Sequence, residues 1–222
     1  NTGQSLIMQL ASDPRLMADS QQERQQALAE GLNTVPYFQH FFVLDQSHDI
    51  ITRYPQENGL DVPATPDEKL GVEMAFNGVP VQFYPFPPLH EHDSTQLSFF
   101  ATISGENGVE GVLVGRTSLV SNPFAQSVLS NLDSLSDLNG AGLLIGDDGT
   151  VLYQSKAAFD LQTYSGASSD KATFRDGAAP DGTRQLIYYH PVKGQPWSVV
   201  LMVPARQAQQ RALNIAAPLL GV

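Results

Sequence analysis

The side chains of this chain best equipped for chemistry lie between positions 53 and 116. His90-Glu-His92-Asp93 is the one cluster that offers metal-ligating or acid–base groups side by side. On an extended segment, two His at i and i+2 point to the same side, and Asp93 can add an oxygen ligand. A solvated loop after Pro87-Pro88 accounts for the same residues without any chemistry, and a pocket rim is the next reading. A metal comes last, so no metal ligand and no cofactor is assigned. Arg116 offers something different, because a guanidinium grips a carboxylate through two parallel hydrogen bonds. Its ordinary alternative is an ion pair with Glu110 or with an acid of the 56–96 stretch, an arrangement worth little at a surface. The chain has no cysteine, which removes disulfides, thiolate nucleophiles and Cys-based metal sites. It also lacks a Gly-rich phosphate loop, a nucleophile elbow and a nucleotide fingerprint.

Several elements must position these groups. Phe41-Phe-Val-Leu44 and Asp49-Ile-Ile-Thr-Arg-Tyr54 read as a strand pair across residues 45–48, ended by Pro55. Arg53 and Tyr54 close the second strand, and because neighbours alternate faces, one enters a pocket while the other meets solvent. Residues 56–96 form a long Pro-rich excursion with one short helix near 65–76, whose start is marked by Pro66, Asp67 and Glu68. Tyr84 and Phe86 lie in this excursion and wall a cavity, unless they simply pack beside the prolines. His90 belongs to its rim. A hairpin over 97–118 closes the unit. Ser98, Phe100 and Thr102 share one face of its first strand, and that mixed polar face is the better pocket wall.

The same plan occurs twice. Leu186–Val192, a Lys-Gly-Gln-Pro turn and Trp197–Pro204 repeat the 97–118 hairpin about ninety residues later, and Val43–Ile51 reads like Leu144–Leu152. Two copies of one sheet unit follow from this self-similarity. Ahead of them, 4–11 and 14–33 read as helix in two pieces, with cap signals at Asp13-Pro14 and at Ser20-Gln-Gln-Glu23. Ala27, Leu28, Gly31, Leu32 and Val35 fall on one side, so that helix lies against a sheet on one face. Residues 122–138 read as a linking helix ended by Asn139-Gly140. A shorter Gly/Ser/Asp-rich excursion covers 156–183, and a last helix starts at Ala205. Trp197 with Tyr188 and Tyr189 reads as cross-strand core packing. From Val43 to Leu97 is 54 residues but from Leu144 to Leu186 only 42, so the first unit carries about twelve extra residues over its sheet. Longer excursions build lids and pockets, which makes the first unit the better ligand site.

Composition narrows the partners. With 222 residues, 41% hydrophobic and 16% charged, the chain is folded and large enough for two small domains. Its net charge of -11 is uneven: residues 1–120 hold 15 acids against 5 Lys and Arg, and residues 121–222 hold 8 against 7. Neither half offers the basic face that nucleic acid requires. No run of about 18 apolar residues is present. The stretch from Leu213 to Val222 grows apolar, which reads either as a packing helix or as the approach to a membrane span.

Taken together, the leading helix, the two strand–strand–excursion–hairpin units, Gly111-Val-Leu-Val-Gly115 closing the first and Trp197-x-Val-Val-x-x-x-Pro204 closing the second resemble the double Cache extracellular sensor domains of bacterial receptors. Phe42–Ile51, Gly111–Leu119, Gly142–Tyr153 and Tyr188–Pro204 carry the resemblance. It implies an α+β chain of two tandem PAS-like antiparallel-sheet domains: an N-terminal helix over 1–35, a membrane-distal ligand-binding domain over 36–120, a linking helix over 121–140, a membrane-proximal domain over 141–205, and a C-terminal helix over 206–222 leading to a membrane span. It further implies an extracytoplasmic sensing region of a sensor histidine kinase, cyclase or chemoreceptor, not itself an enzyme, dimeric through the first helix. A near-neutral proximal half agrees, since it avoids repulsion from anionic headgroups. Members that bind amino acids carry an Arg-x-Trp-Tyr cluster and a distal Asp. Here the only tryptophan is Trp197, and Arg116 aligns with that Asp. This departure favours an anionic ligand such as a small carboxylate, held by Arg116. Two alternatives stay open: an envelope module that binds a partner protein, and a metal-dependent hydrolase built on His90, His92 and an acid.

Overall fold

The computed structural model describes residues 2–35, 37–56, 61–86, 94–106, 108–155, 161–179, 181–192 and 197–209. They form two compact units, 1–126 and 127–222. The first opens with α1 (Thr2–Ala11) and α2 (Gln21–Thr34), separated by a 3-10 turn at Pro14–Met17. Asp13 accepts from the Arg15 amide and Ser20 from the Glu23 amide, so both cap signals act where the sequence puts them. Ala27, Leu28, Gly31 and Val35 are buried on one side of α2.

The first sheet contains β1 (His40–Asp45), β2 (Ile50–Tyr54), β3 (Val81–Phe86), β4 (Gln96–Gly105) and β5 (Gly108–Ser118), in the order β2-β1-β5-β4-β3 and antiparallel throughout. α1 packs on β4 and β5, and α3 (Pro66–Phe76) packs on β3, β4 and β5. Residues 81–86, expected as irregular lid, are an edge strand instead. Pro80 and Pro85 argue against a central strand, but an edge needs hydrogen bonds on one side only.

α4 (Pro123–Asp133), whose first residues still belong to the first unit, and a 3-10 turn at Ser134–Leu138 lead into the second sheet: β6 (Ala141–Gly146), β7 (Val151–Gln154), β8 (Thr173–Ala178), β9 (Arg184–Pro191) and β10 (Trp197–Pro204). Its order, β7-β6-β10-β9-β8, repeats that of the first sheet. Even the irregularities match, with a register shift at Val43/Leu44 in one copy and at Leu144/Ile145 in the other. Asn139, at φ 46°, ends the linking helix in the left-handed conformation its sequence signals. β8 is a second edge strand that the Gly- and Ser-rich composition of 156–183 concealed. Trp197 departs from the expected core packing. It is half-buried and pairs with Gly146, whereas Tyr189 is buried in the core as expected and Tyr188 packs at a tilt against Phe174 and His190. Residues 205–209 begin a helix, and among the described residues no helix is long and apolar enough to cross a membrane.

Candidate functional site

Register decides which side chains of the first sheet meet. Directly opposed residues in an antiparallel pair share a face. Tyr84, Ser98, Arg116 and His40 therefore form one row across β3, β4, β5 and β1. The next row on that face runs Phe100, Val114, Phe42, Arg53, and the one after it Thr102, Val112, Leu44. Tyr54 lies opposite Phe41 on the other face, so Arg53, not Tyr54, belongs with the site. Both are half-buried.

α3 lies across these rows and supplies the residue that organises them. Thr65 caps it by accepting from the Glu68 amide at 3.2 Å, and Pro66 occupies its first turn. Glu68, in the same first turn, points at Arg116. Arg116 Nε donates to Glu68 Oε1 at 2.9 Å and Nη2 to Oε2 at 2.7 Å. Both side chains are 0% exposed. Ser98 Oγ donates to Oε1 and the Ala64 amide to Oε2, while Nη2 also reaches the Asp61 carbonyl. The guanidinium carbon stands 4.9 Å from the centre of the Phe42 ring. Charge, hydrogen bonding and an aromatic face thus hold one cation and one anion in place.

The acid-of-the-excursion alternative for Arg116 is the observed one, with a change of setting. The pair is not a weak surface bridge but a buried, bidentate one, and Arg116 is not an uncompensated cation. Phe100 and Thr102 take part in docking α3 instead of lining open space. A methyl group at Gly71 would overlap the Phe100 ring, and Thr102 Oγ1 donates to the Ala75 and Val79 carbonyls at 2.9 and 3.1 Å. At the same end of α3, Phe76 stacks on His48 with ring centres 4.4 Å apart. Tyr84 packs edge-on to Phe100, 6.1 Å away. Burial raises its phenol pKa, and the Asp67 carboxylate adds to the rise. Phe86 falls in β3 opposite Gln96, but its side chain lies outside the described residues, as do His90, His92 and Asp93. Among the described residues no three metal-ligating side chains come together.

The sequence alone does not single out Glu68 or His40. Glu68 reads there only as a first-turn acid that favours a helix start. Thr65-x-x-Glu68 has capping-box spacing, and a capping-box glutamate turns back toward the chain entering the helix, which is where Asp61 and Ala64 lie. His40 had no local signal, since only its pairing with Arg116 brings it into the row.

No family model and no curated relative matches the chain. Solved structures do. The ligand-binding domain of the Pseudomonas fluorescens chemoreceptor CtaA, in complex with L-isoleucine, superposes with a TM-score of 0.64 at 19% identity, covering 95% of this chain and 86% of that one. The ligand-binding domain of the Pseudomonas aeruginosa amino-acid chemoreceptor PctB, in complex with L-Arg, gives 0.67 at 19% identity, covering 98% and 85%. That of PctC, from the same organism and in complex with GABA, gives 0.64 at 20% identity, covering 90% and 87%. The chain has the double Cache fold. The double Cache likeness read from short motifs thus extends over both units, and each unit keeps its five-stranded sheet.

Proposed function

We propose that this chain is the extracytoplasmic sensing region of a bacterial membrane receptor and that its first unit recognises a small carboxylate-bearing ligand at the Tyr84–Ser98–Arg116–His40 row. The observation that carries this reading is the buried Glu68–Arg116 pair beneath α3, in a chain that shares its fold end to end with chemoreceptor ligand-binding domains. Arg116 alone favours an anion. Glu68 alters that preference. A bare carboxylate must take Arg116 away from Glu68 and leave a buried anion behind. A zwitterion can satisfy both, carboxylate to Arg116 and ammonium to Glu68. Amino acids are therefore the favoured members of the carboxylate class, in keeping with the ligands bound by the structural neighbours.

Binding in this row requires α3 to move, because Gly71 lies against Phe100 and Glu68 fills the donor fork of Arg116. The α3-docked state is then one of two arrangements, and ligand selects the other. Dimerisation through the N-terminal helices is part of the same proposal; Met8 offers an exposed apolar contact on α1. Multi-angle light scattering with and without ligand tests it, and a monomer under both conditions refutes it.

The ligand reading is tested by thermal-shift and calorimetric titration with amino acids and with simple carboxylates, on wild type and Glu68→Gln. A ligand that binds only the folded state raises the melting temperature by mass action. Removing the anion should weaken amino acids at least tenfold and strengthen acetate and succinate. Equal affinities in both proteins would exclude the row as the site.

A further inference from the structure

A second guanidinium faces a cavity in this chain, and among the described residues no carboxylate neutralises it. On one face of the second sheet is a cavity of about 300 Å³, walled by Leu161, Tyr164, Arg175, Gln185, Ile187 and Met202. That volume lies at the lower end of small-molecule sites and is room for about ten waters. Arg175 sits on β8, where residues alternate in exposure. The acid beside it, Asp176, points to the opposite face and pairs there with Arg184 at 2.9 Å. The described residues give Arg175 no carboxylate partner. One of its donors, Nη2, is taken by the Tyr164 hydroxyl, and its guanidinium carbon lies 5.5 Å from the centre of the Tyr164 ring. Burial raises the pKa of that phenol, against the lowering effect of the Arg175 cation. Nε is buried and has no hydrogen-bond partner among the described residues.

We infer that the second unit holds a ligand site of its own, in which Arg175 receives the carboxylate of a small organic acid. An N–H donor buried without a partner is an unmet hydrogen-bond demand, and a carboxylate can meet it while balancing the charge through the guanidinium fork. The apolar walls from Leu161, Ile187 and Met202 accept a short carbon chain, and Gln185, buried on the same face, supplies a neutral polar group. The backbone at Gly166 runs so close that a methyl group there would overlap Arg175 Nη2 and the Tyr164 hydroxyl. This cradle fixes the fork from behind. The difference from the first unit is chemical: there the carboxylate is already supplied by the chain.

The test is calorimetric titration of the whole 222-residue chain with acetate, pyruvate and succinate at constant ionic strength, using sulfate as the control for simple charge screening. At least one carboxylate should bind with sub-millimolar affinity, and Arg175→Gln should abolish that binding. Gly166→Ala, which keeps every charge and displaces the fork, should weaken it at least tenfold. Ser98→Ala, in the first unit, should leave it unchanged. Far-UV circular dichroism confirms that each variant is folded, and if Arg175→Gln is not, Gly166→Ala decides. Binding that survives in the deciding variant, that sulfate reproduces, that Ser98→Ala removes, or that no probe shows at 10 mM overturns the inference. Loss in Ser98→Ala alone would instead assign the response to the first unit.

Discussion

Replacing Arg116 by methionine tests whether the row under α3 is the buried, charge-balanced site described above. Glu68 accepts four hydrogen bonds, from Arg116 Nε, Arg116 Nη2, Ser98 Oγ and the Ala64 amide. Arg116→Met deletes two of them, each charge-assisted and worth about 1.5–3 kcal/mol. It also leaves an anion at 0% exposure without its counter-charge. The hydrogen bonds alone give a loss of about 3–6 kcal/mol, and breaking one side of a buried pair gives about 3–5 kcal/mol. Glu68→Met should lose a similar amount, because it strands the guanidinium. The double variant should unfold within about 1 kcal/mol of wild type, since buried ion pairs replaced by apolar side chains of similar volume are often neutral in effect. Urea denaturation at pH 7, followed by far-UV circular dichroism, measures all four corners of the cycle. With a urea slope of about 1–3 kcal/mol per molar, each single variant should shift its midpoint by 1 M or more. Tryptophan fluorescence reads the second unit separately through Trp197. Additive single variants, or an Arg116→Met protein as stable as wild type, would mean that the pair is solvated and that the row is no site.

Gly71→Ala should destabilise the first unit by about 1–2 kcal/mol, because overpacking against Phe100 outweighs the gain of up to about 1 kcal/mol in helix propensity; urea midpoints check it. Acid sensitivity should arise partly at Asp13, whose hydrogen bond from Arg15 holds its carboxyl below the ordinary range. The unfolded carboxyl titrates near pH 3.9, so the stabilisation is present above that value and is lost as pH falls through the lower folded pKa. Asp13→Asn should flatten the stability profile below pH 4. At the alkaline end, burial and then the hydrogen bond to Asp133 push the Tyr153 phenol up to about 12. The folded chain keeps this proton after the unfolded chain has lost it near pH 10, so stability falls as pH rises from there. Tyr153→Phe should remove that part of the slope, read as urea midpoints between pH 9 and 11.

The sequence carries the central strands openly, because runs such as Phe41-Phe-Val-Leu44 and Trp197–Pro204 are aromatic and β-branched and bounded by turns. The edge strands β3 and β8 are hidden for a physical reason. Each makes half the ladder hydrogen bonds of a central strand, so Pro85 and Gly177 are tolerated there and the usual strand signature fades. Arg116 was legible as the chemical residue of the first unit, but not its burial or its partner. A lone arginine near a strand end carries no sign of an acid 48 positions earlier. Glu68 itself sits at a helix start where an acid is expected for the sake of the helix dipole, and that sufficient local reason masked a tertiary one. Alternation puts Thr102 on the face that meets α3, yet its hydroxyl holds the end of that helix, a contact that alternation alone cannot foresee.

The two copies share one scaffold and differ in what lies over the sheet, and that difference sorts their chemistry. In the first unit the longer excursion contains α3, and α3 brings a carboxylate to the buried arginine. In the second the excursion is twelve residues shorter, and the described residues place no acid against Arg175. A ligand carboxylate therefore meets opposite energetics in the two copies. At Arg116 it must displace Glu68, so binding is coupled to the movement of a helix and can drive a conformational change. At the inferred Arg175 site it would fill a donor that has no partner among the described residues, so binding would rigidify what exists and move little. Only the first kind of site has differential affinity for two arrangements of the chain, which is the property a switch requires. If the chain senses ligands as proposed, the first unit would generate the signal, and occupancy of the second would adjust how firmly its own sheet is held.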